Sequence, residues 1–322
     1  MTPIHAVAGV GLAALVLYAV LGGADFGGGV WDLLATGPRA ARQRGAVAAA
    51  IGPVWEANHV WLIFTIVLLF TCFPAAFADI ATGLYAPLTL ALVGIVLRGA
   101  AFVFRNYAAD VPALATSWTA IFGVASLAAP FFLGDAVGAL ATGRYAWGSA
   151  FALCVGVFAV AVCAQVAAVF ILADIADDDV RGDFRRRAVR STIAVWILGA
   201  LPAAVAAVTE PHLFASLLRP FALAAIGAGV VAGLVVIVLV SARRDTAARV
   251  AVGAEATAIL AGWFGAQAPD LVPGRYTYSA AASSSSMIVA FLVATALGAI
   301  VLVPSLALLF RVFKSGARSE RA

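Results

Sequence analysis

Six polar residues stand out against the apolar sequence around them: Asp25 and Asp32, then Glu56, Asn58 and His59, then Arg98. Asp25 and Asp32 are seven residues apart, close to two helical turns, so they share one helix face. An ionisable group in hydrocarbon costs roughly 2.5 to 3.5 kcal/mol on insertion scales and is a functional candidate by default. One embedded arginine neutralises one acid, and the acids left over argue for a hydrated, protonatable path, because a carboxyl short of counter-charge in a low-dielectric site takes up a proton readily. The plainer reading is that Arg98 pairs with one carboxylate and pins helix packing. Beside Asp25, the glycines of GGADFGGG allow close helix approach or local unwinding.

The elements that position these residues follow from composition. Of 322 residues, 64% are hydrophobic and only 11% charged, with mean hydropathy +1.06. A soluble domain carries roughly 25% charged residues, so the chain reads as an all-α polytopic membrane protein set in a lipid bilayer. A crossing helix needs roughly 20 apolar residues. Nine stretches qualify, at about 4–35, 47–74, 80–104, 114–133, 147–173, 191–208, 220–241, 250–268 and 286–312. The alternating pattern of a membrane barrel is absent, which leaves helices as the way to satisfy the backbone in lipid.

Charge sets the orientation. Arg39, Arg42 and Arg44 follow span 1; Arg105 follows span 3; Arg181, Arg185, Arg186, Arg187 and Arg190 follow span 5. Arg243, Arg244 and Arg249 follow span 7, and Arg311, Lys314, Arg318 and Arg321 follow span 9. The even-numbered connections hold Arg144, Arg219 and Arg275, so 16 basic residues against 3 place the odd exits in the cytoplasm and the N-terminus outside. The net charge of +4 therefore reports topology and not nucleic-acid binding.

A weak internal repeat matches Asp32, Arg39 and Ile51 with Asp174, Arg181 and Ile193 at a shift of 142, and Trp55 with Trp196 after a one-residue slip. It suggests a single membrane domain over 1–322. Within it lie a first four-helix bundle (1–133) holding the polar cluster, a second four-helix bundle (147–268) related to it as a parallel repeat, and a peripheral ninth helix (286–312). The connections 174–190 and 269–286 are too short to fold alone, and Ser283 to Ser286 reads as a flexible loop or a helix start.

Other chemistries fare poorly. Cys72, Cys154 and Cys163 lie in apolar runs without CxxC spacing and read as packing residues. Haem ligation uses His and Met side chains, and of His5, His59 and His212 only His59 is deep, without a partner at its depth. No metal site and no nucleotide motif is expected.

Three blocks, GADFGGGVWDLL at 23–34, GPVWEANHVWLI at 52–63 and LRGAAFVFR at 97–105, carry a resemblance. At these residues the chain resembles subunit II of the cytochrome bd-type quinol oxidases, the cyanide-insensitive branch included. The resemblance implies a terminal oxidase of the bacterial cytoplasmic (inner) membrane that reduces oxygen with quinol. Its subunit I would hold haem b, haem d and the quinol site, while subunit II binds no haem and has no catalytic residue of its own. It further implies that the acid at Glu56, with Asp25 and Arg98, lines a proton route from the cytoplasm to the oxygen-reducing site; Asp32, Asn58 and His59 join the candidate path as members of the same polar cluster. It leaves room for a structural quinone in this subunit and for small single-helix accessory subunits. Many relatives carry Asp-Gly-Asn-Gln where this chain has Glu56, Ala57, Asn58 and His59, a departure that keeps the acid. The rival readings are a secondary transporter, which shares repeats and embedded acids, and a purely structural membrane partner.

Overall fold

The computed structural model describes residues 3–51, 55–107 and 111–319. The chain runs through α1 (Pro3–Leu33), α2 (Ala40–Ile51), α3 (Trp55–Cys72), α4 (Pro74–Gly83), α5 (Tyr85–Tyr107), α6 (Pro112–Ala141) and α7 (Ala150–Leu172). It continues through α8 (Asp178–Thr209), α9 (Pro211–Leu217), α10 (Pro220–Ser241) and α11 (Asp245–Gln267). A two-stranded antiparallel hairpin follows, β1 (Asp270–Val272) with β2 (Tyr276–Thr277), then α12 (Tyr278–Ala281) and α13 (Ser285–Ser319). Among the described residues eight helices are long and apolar enough to cross a membrane: α1, α5, α6, α7, α8, α10, α11 and α13.

Of the run 47–74 expected as one span, the described residues lie in α2, to Ile51, and in α3, from Trp55, and residues 52–54 lie outside the described residues. The connection 174–190 is shorter than expected. Asp177 caps α8 by accepting from the Asp179 and Val180 amides, so the helix starts thirteen residues before the apolar run at 191. Ser283 to Ser286 forms the entry to α13, where the Ser284 hydroxyl accepts from the Met287 amide.

Helices α1 and α7 lie at the centre. From Gly22 to Val30 every residue of α1 is buried, and in α7 Gln165 to Val169 are buried without a break. Their contact is close because Gly27 has no side chain: a Cβ there would lie 1.9 Å from the Cys163 carbonyl oxygen. Trp31 Nε1 fixes the same contact by donating to the Ala164 carbonyl oxygen at 2.7 Å. Around this pair, α3 and α6 pack on α1, while α8 and α11 pack on α7. The remaining tight pairs are α5 with α6 and α10 with α11. Helix α13 leans on α3 and α1, and only 6% of its apolar window is buried. Exposed aliphatic side chains such as Val96 (60%), Ile197 (65%) and Val238 (64%) face outward, as lipid contact requires.

Candidate functional site

Two aspartates on α1 meet two arginines on α5 with the same spacing. Arg98 Nη2 donates to Asp25 Oδ1 at 2.5 Å and to the Asp25 carbonyl oxygen at 3.1 Å, and Arg98 Nε donates to Ser126 Oγ at 3.0 Å. Seven residues on, Arg105 Nη1 approaches Asp32 Oδ1 at 3.4 Å. Each pair is separated by 73 residues in sequence. Helices α1 and α5 therefore present matching ladders with a seven-residue rung spacing.

The ring of Phe122, on α6, lies between the rungs. The Arg98 guanidinium stands 4.9 Å from its centroid and that of Arg105 4.4 Å; Phe26 and Phe102 flank the two cations. A ring face attracts a desolvated cation, so Phe122 helps hold two like charges on one helix. Gly29 provides the room for the Ser126 contact, since a Cβ there would lie 2.0 Å from Ser126 Oγ. Ser126 in turn donates to the Phe122 carbonyl oxygen at 2.7 Å.

Burial is severe. Arg98, Asp25 and Asp32 are each 1% exposed. The upper rung is saturated by charge-assisted bonds, the strong kind. The lower rung is looser: Asp32 Oδ2 is buried with no hydrogen-bond partner among the described residues. Arg44 attaches to the same helix end through the carbonyl oxygens of Asp32 and Ala35, at 3.3 Å each.

The structure thus brings Asp25, Asp32 and Arg98 into one site and adds Arg105, Ser126 and Phe122, which sequence reading had missed. Arg105 is not a charge beyond the end of span 3. It lies in the last turn of α5 with its side chain 12% exposed, so the aspartates face two embedded arginines and not one. The signal was present, because Arg98 and Arg105 repeat the seven-residue spacing of Asp25 and Asp32. Glu56 lies on α3. The side chains of Glu56 and Asn58 lie outside the described residues, and His59, on the same helix, is half-buried.

A further buried acid lies in the other half. Glu255, 2% exposed, accepts from Gln165 Nε2 at 2.6 Å, and the same amide donates to Thr192 Oγ1 at 3.0 Å. Among the described residues neither of these hydrogen bonds reaches the ladder. Among the described residues no three His, Cys, Asp or Glu side chains converge as a metal centre needs. Of the three histidines, His5 lies on α1, His59 on α3 and His212 on α9.

The whole chain can be compared with known proteins. A solved bd oxidase from Geobacillus thermodenitrificans superposes with a TM-score of 0.81 at 20% identity, covering 97% of this chain and 99% of that one, which establishes the shared fold. In sequence, the cytochrome bd ubiquinol oxidase subunit 2 of Bacillus subtilis (strain 168) is 36% identical over 93 residues, a stretch that spans 29% of this chain and 27% of that relative's length. The model of the family described as cytochrome bd terminal oxidase subunit II matches residues 4–313. On that match, extending over nearly its full length, this chain belongs to the cytochrome bd terminal oxidase subunit II family.

Proposed function

We propose that this chain is the haem-free subunit of a quinol:oxygen oxidoreductase in a bacterial inner membrane. In this reading it stabilises a subunit I that carries haem b, haem d and the quinol site, and it conducts protons from the cytoplasm toward the oxygen-reducing centre. The route enters at Glu56, with Asn58 and His59 beside it, and runs along the Asp32 and Asp25 face of α1. Arg98 and Arg105 set the local field.

One observation carries the reading: both aspartates are committed to arginines. Three acids, Asp25, Asp32 and Glu56, against Arg98 and Arg105 leave the sequence with one carboxyl more than its embedded arginines. Asp32 Oδ2, buried and unpartnered among the described residues, supports a hydrated link below the saturated upper rung. The same reading takes the N-terminus as external and the C-terminus as cytoplasmic, and it treats α1, α3, α5 and α6 and then α7, α8, α10 and α11 as two repeated bundles. A structural quinone and small accessory helices remain compatible with it.

The test is Glu56→Gln in the assembled oxidase, which keeps size and hydrogen bonding but cannot carry a proton. Quinol-driven oxygen consumption should fall at least tenfold at unchanged haem content, and Glu56→Asp should recover most of it. Normal turnover in the Gln variant would leave only the stabilising role. Loss of haem together with activity would assign Glu56 to assembly.

A further inference from the structure

Away from the ladder, at the end of the molecule where α1 leaves and α8 begins, four arginines line a single cleft of about 270 Å³. They are Arg39, Arg186, Arg187 and Arg190, and the acid among them is Asp183. That acid is already satisfied. Arg39 grips both its oxygens at 2.8 Å, Gln43 donates to Oδ2 at 2.8 Å and Arg186 to Oδ1 at 2.6 Å. Four guanidiniums less one carboxylate leave a formal charge of +3 in the cleft.

Two of the cations have unused capacity. Arg187 stacks on Trp31 and Phe184, at 5.1 and 4.7 Å from the ring centroids, and donates through Nη2 to Gln43 Oε1 at 2.7 Å. Its Nη1 is buried with no partner among the described residues. Arg190 is exposed and makes no ion pair among the described residues, and the Arg186 side chain is 60% exposed. A buried unpaired donor inside a +3 cleft is chemistry for an anion with several acceptor oxygens.

The surroundings say where that anion comes from. Helix α8 has 32 residues, about 48 Å at 1.5 Å per residue, whereas the hydrocarbon layer is about 30 Å thick. Roughly the first twelve residues therefore project beyond the hydrocarbon, which puts Arg186 and Arg187 at headgroup level and Arg190 at its inner boundary. Arg186 and Arg190 share one helix face with Ile193, Ile197 and Leu201, which are 43%, 65% and 44% exposed. The cationic cleft runs directly into an outward apolar stripe.

We propose that this cleft binds the phosphate of an anionic membrane phospholipid, whose acyl chains lie along the Ile193, Ile197 and Leu201 face of α8. Arg39 and Gln43 fix Asp183 and shape the cleft, Arg187 offers its free Nη1 to a phosphate oxygen, and Arg186 and Arg190 supply the long-range attraction. The assignment does not depend on the proton route.

The experiment uses the assembled oxidase, stripped of lipid in mild detergent and titrated with phosphatidylglycerol, phosphatidylcholine or inorganic phosphate, with bound lipid read by native mass spectrometry. Wild type should retain phosphatidylglycerol in preference to phosphatidylcholine. The pair Arg186→Gln/Arg190→Gln should weaken phosphatidylglycerol about thirty-fold, roughly fivefold for each cation removed, without changing phosphatidylcholine. Arg186→Lys/Arg190→Lys should recover most of the loss. Equal retention of the two lipids, or unchanged retention in the Gln pair, overturns the proposal. Displacement of the lipid by inorganic phosphate at equal concentration would assign the cleft to free phosphate, and a crosslink from position 190 to the partner subunit would assign it to protein; either refutes the lipid reading. If the Gln pair fails to assemble, wild type decides: lipid retention must weaken as salt is raised, and insensitivity to salt overturns the proposal.

Discussion

Replacing one member of the Asp25 and Arg98 pair should damage the protein far more than replacing both. Each side chain is nearly sealed, Arg98 at 2% and Asp25 at 1% exposure. Asp25→Leu leaves that cation with one carbonyl oxygen, one hydroxyl and two ring faces; Arg98→Met leaves the carboxylate without its cation. Breaking a buried ion pair from one side costs about 3 to 5 kcal/mol, whereas exchanging the whole pair for apolar side chains of similar volume is often close to neutral. The double variant Asp25→Leu/Arg98→Met should therefore be more stable than either single one, with a coupling free energy of about 3 kcal/mol or more. The Asp32 and Arg105 pair, longer at 3.4 Å and with Arg105 12% exposed, should couple by only about 1 kcal/mol. The assay is a double-mutant cycle on the unfolding midpoint of the assembled complex in detergent, one cycle per rung. Additive losses at the Asp25 rung, or a larger coupling at the Asp32 rung, would refute the ladder as drawn.

Three further outcomes follow from other parts of the molecule. Gly27→Ala should force α1 off α7, because its Cβ would fall 1.9 Å from the Cys163 carbonyl oxygen; a loss of about 1 to 3 kcal/mol should appear as a lower thermal midpoint, and an unchanged midpoint would contradict the close crossing. A reporter fused after Ala322 should read cytoplasmic and one within 269–286 external, from the distribution of basic residues; reversal at either site would contradict the orientation. Asp177 is held below its ordinary value of 3.8 mainly by the Val180 amide that it caps, helped by Arg42. A depressed carboxylate contributes stability that is complete above its unfolded value and is lost as pH falls through the folded one. Hydrogen exchange at the Asp179 and Val180 amides should therefore speed up in acid and in Asp177→Ala at neutral pH, and equal protection in variant and wild type would exclude the cap.

Much of this architecture was legible in the sequence for a physical reason. Hydrocarbon accepts almost nothing but apolar helix, so runs such as 220–241 announce their own boundaries, and α10 begins and ends there. Legibility failed where a helix leaves the hydrocarbon. Asp178 to Arg190 looked like a polar connection, yet it is the projecting start of α8, stabilised by its cap and by the ion pairs of Asp183, features that hydropathy does not register. Arg105 failed for the same reason, since a charge near a span end reads as a topology marker until a partner one helix away accounts for it. Asp25 and Arg98 could be singled out because no other role suits such residues in lipid. Their pairing, and the part of Phe122 between two cations, needed three dimensions. Nothing in the spacing of Glu255 announced Gln165 as its partner, or Thr192 as the next acceptor for the same amide.

In the proposed function, protons reach the oxygen-reducing centre through this chain. The direct measurement is proton uptake from the cytoplasmic face during single-turnover oxygen reduction, in vesicles of oriented oxidase, comparing wild type with Asp32→Asn at equal haem content. Asp32→Asn keeps the volume and removes the exchangeable carboxyl whose Oδ2 is unpartnered among the described residues. On the proposed route, uptake in the variant should slow at least tenfold while electron entry to the haems keeps its wild-type rate. Uptake at the wild-type rate in both Asp32→Asn and Glu56→Gln would place the proton route elsewhere and leave this chain a structural partner.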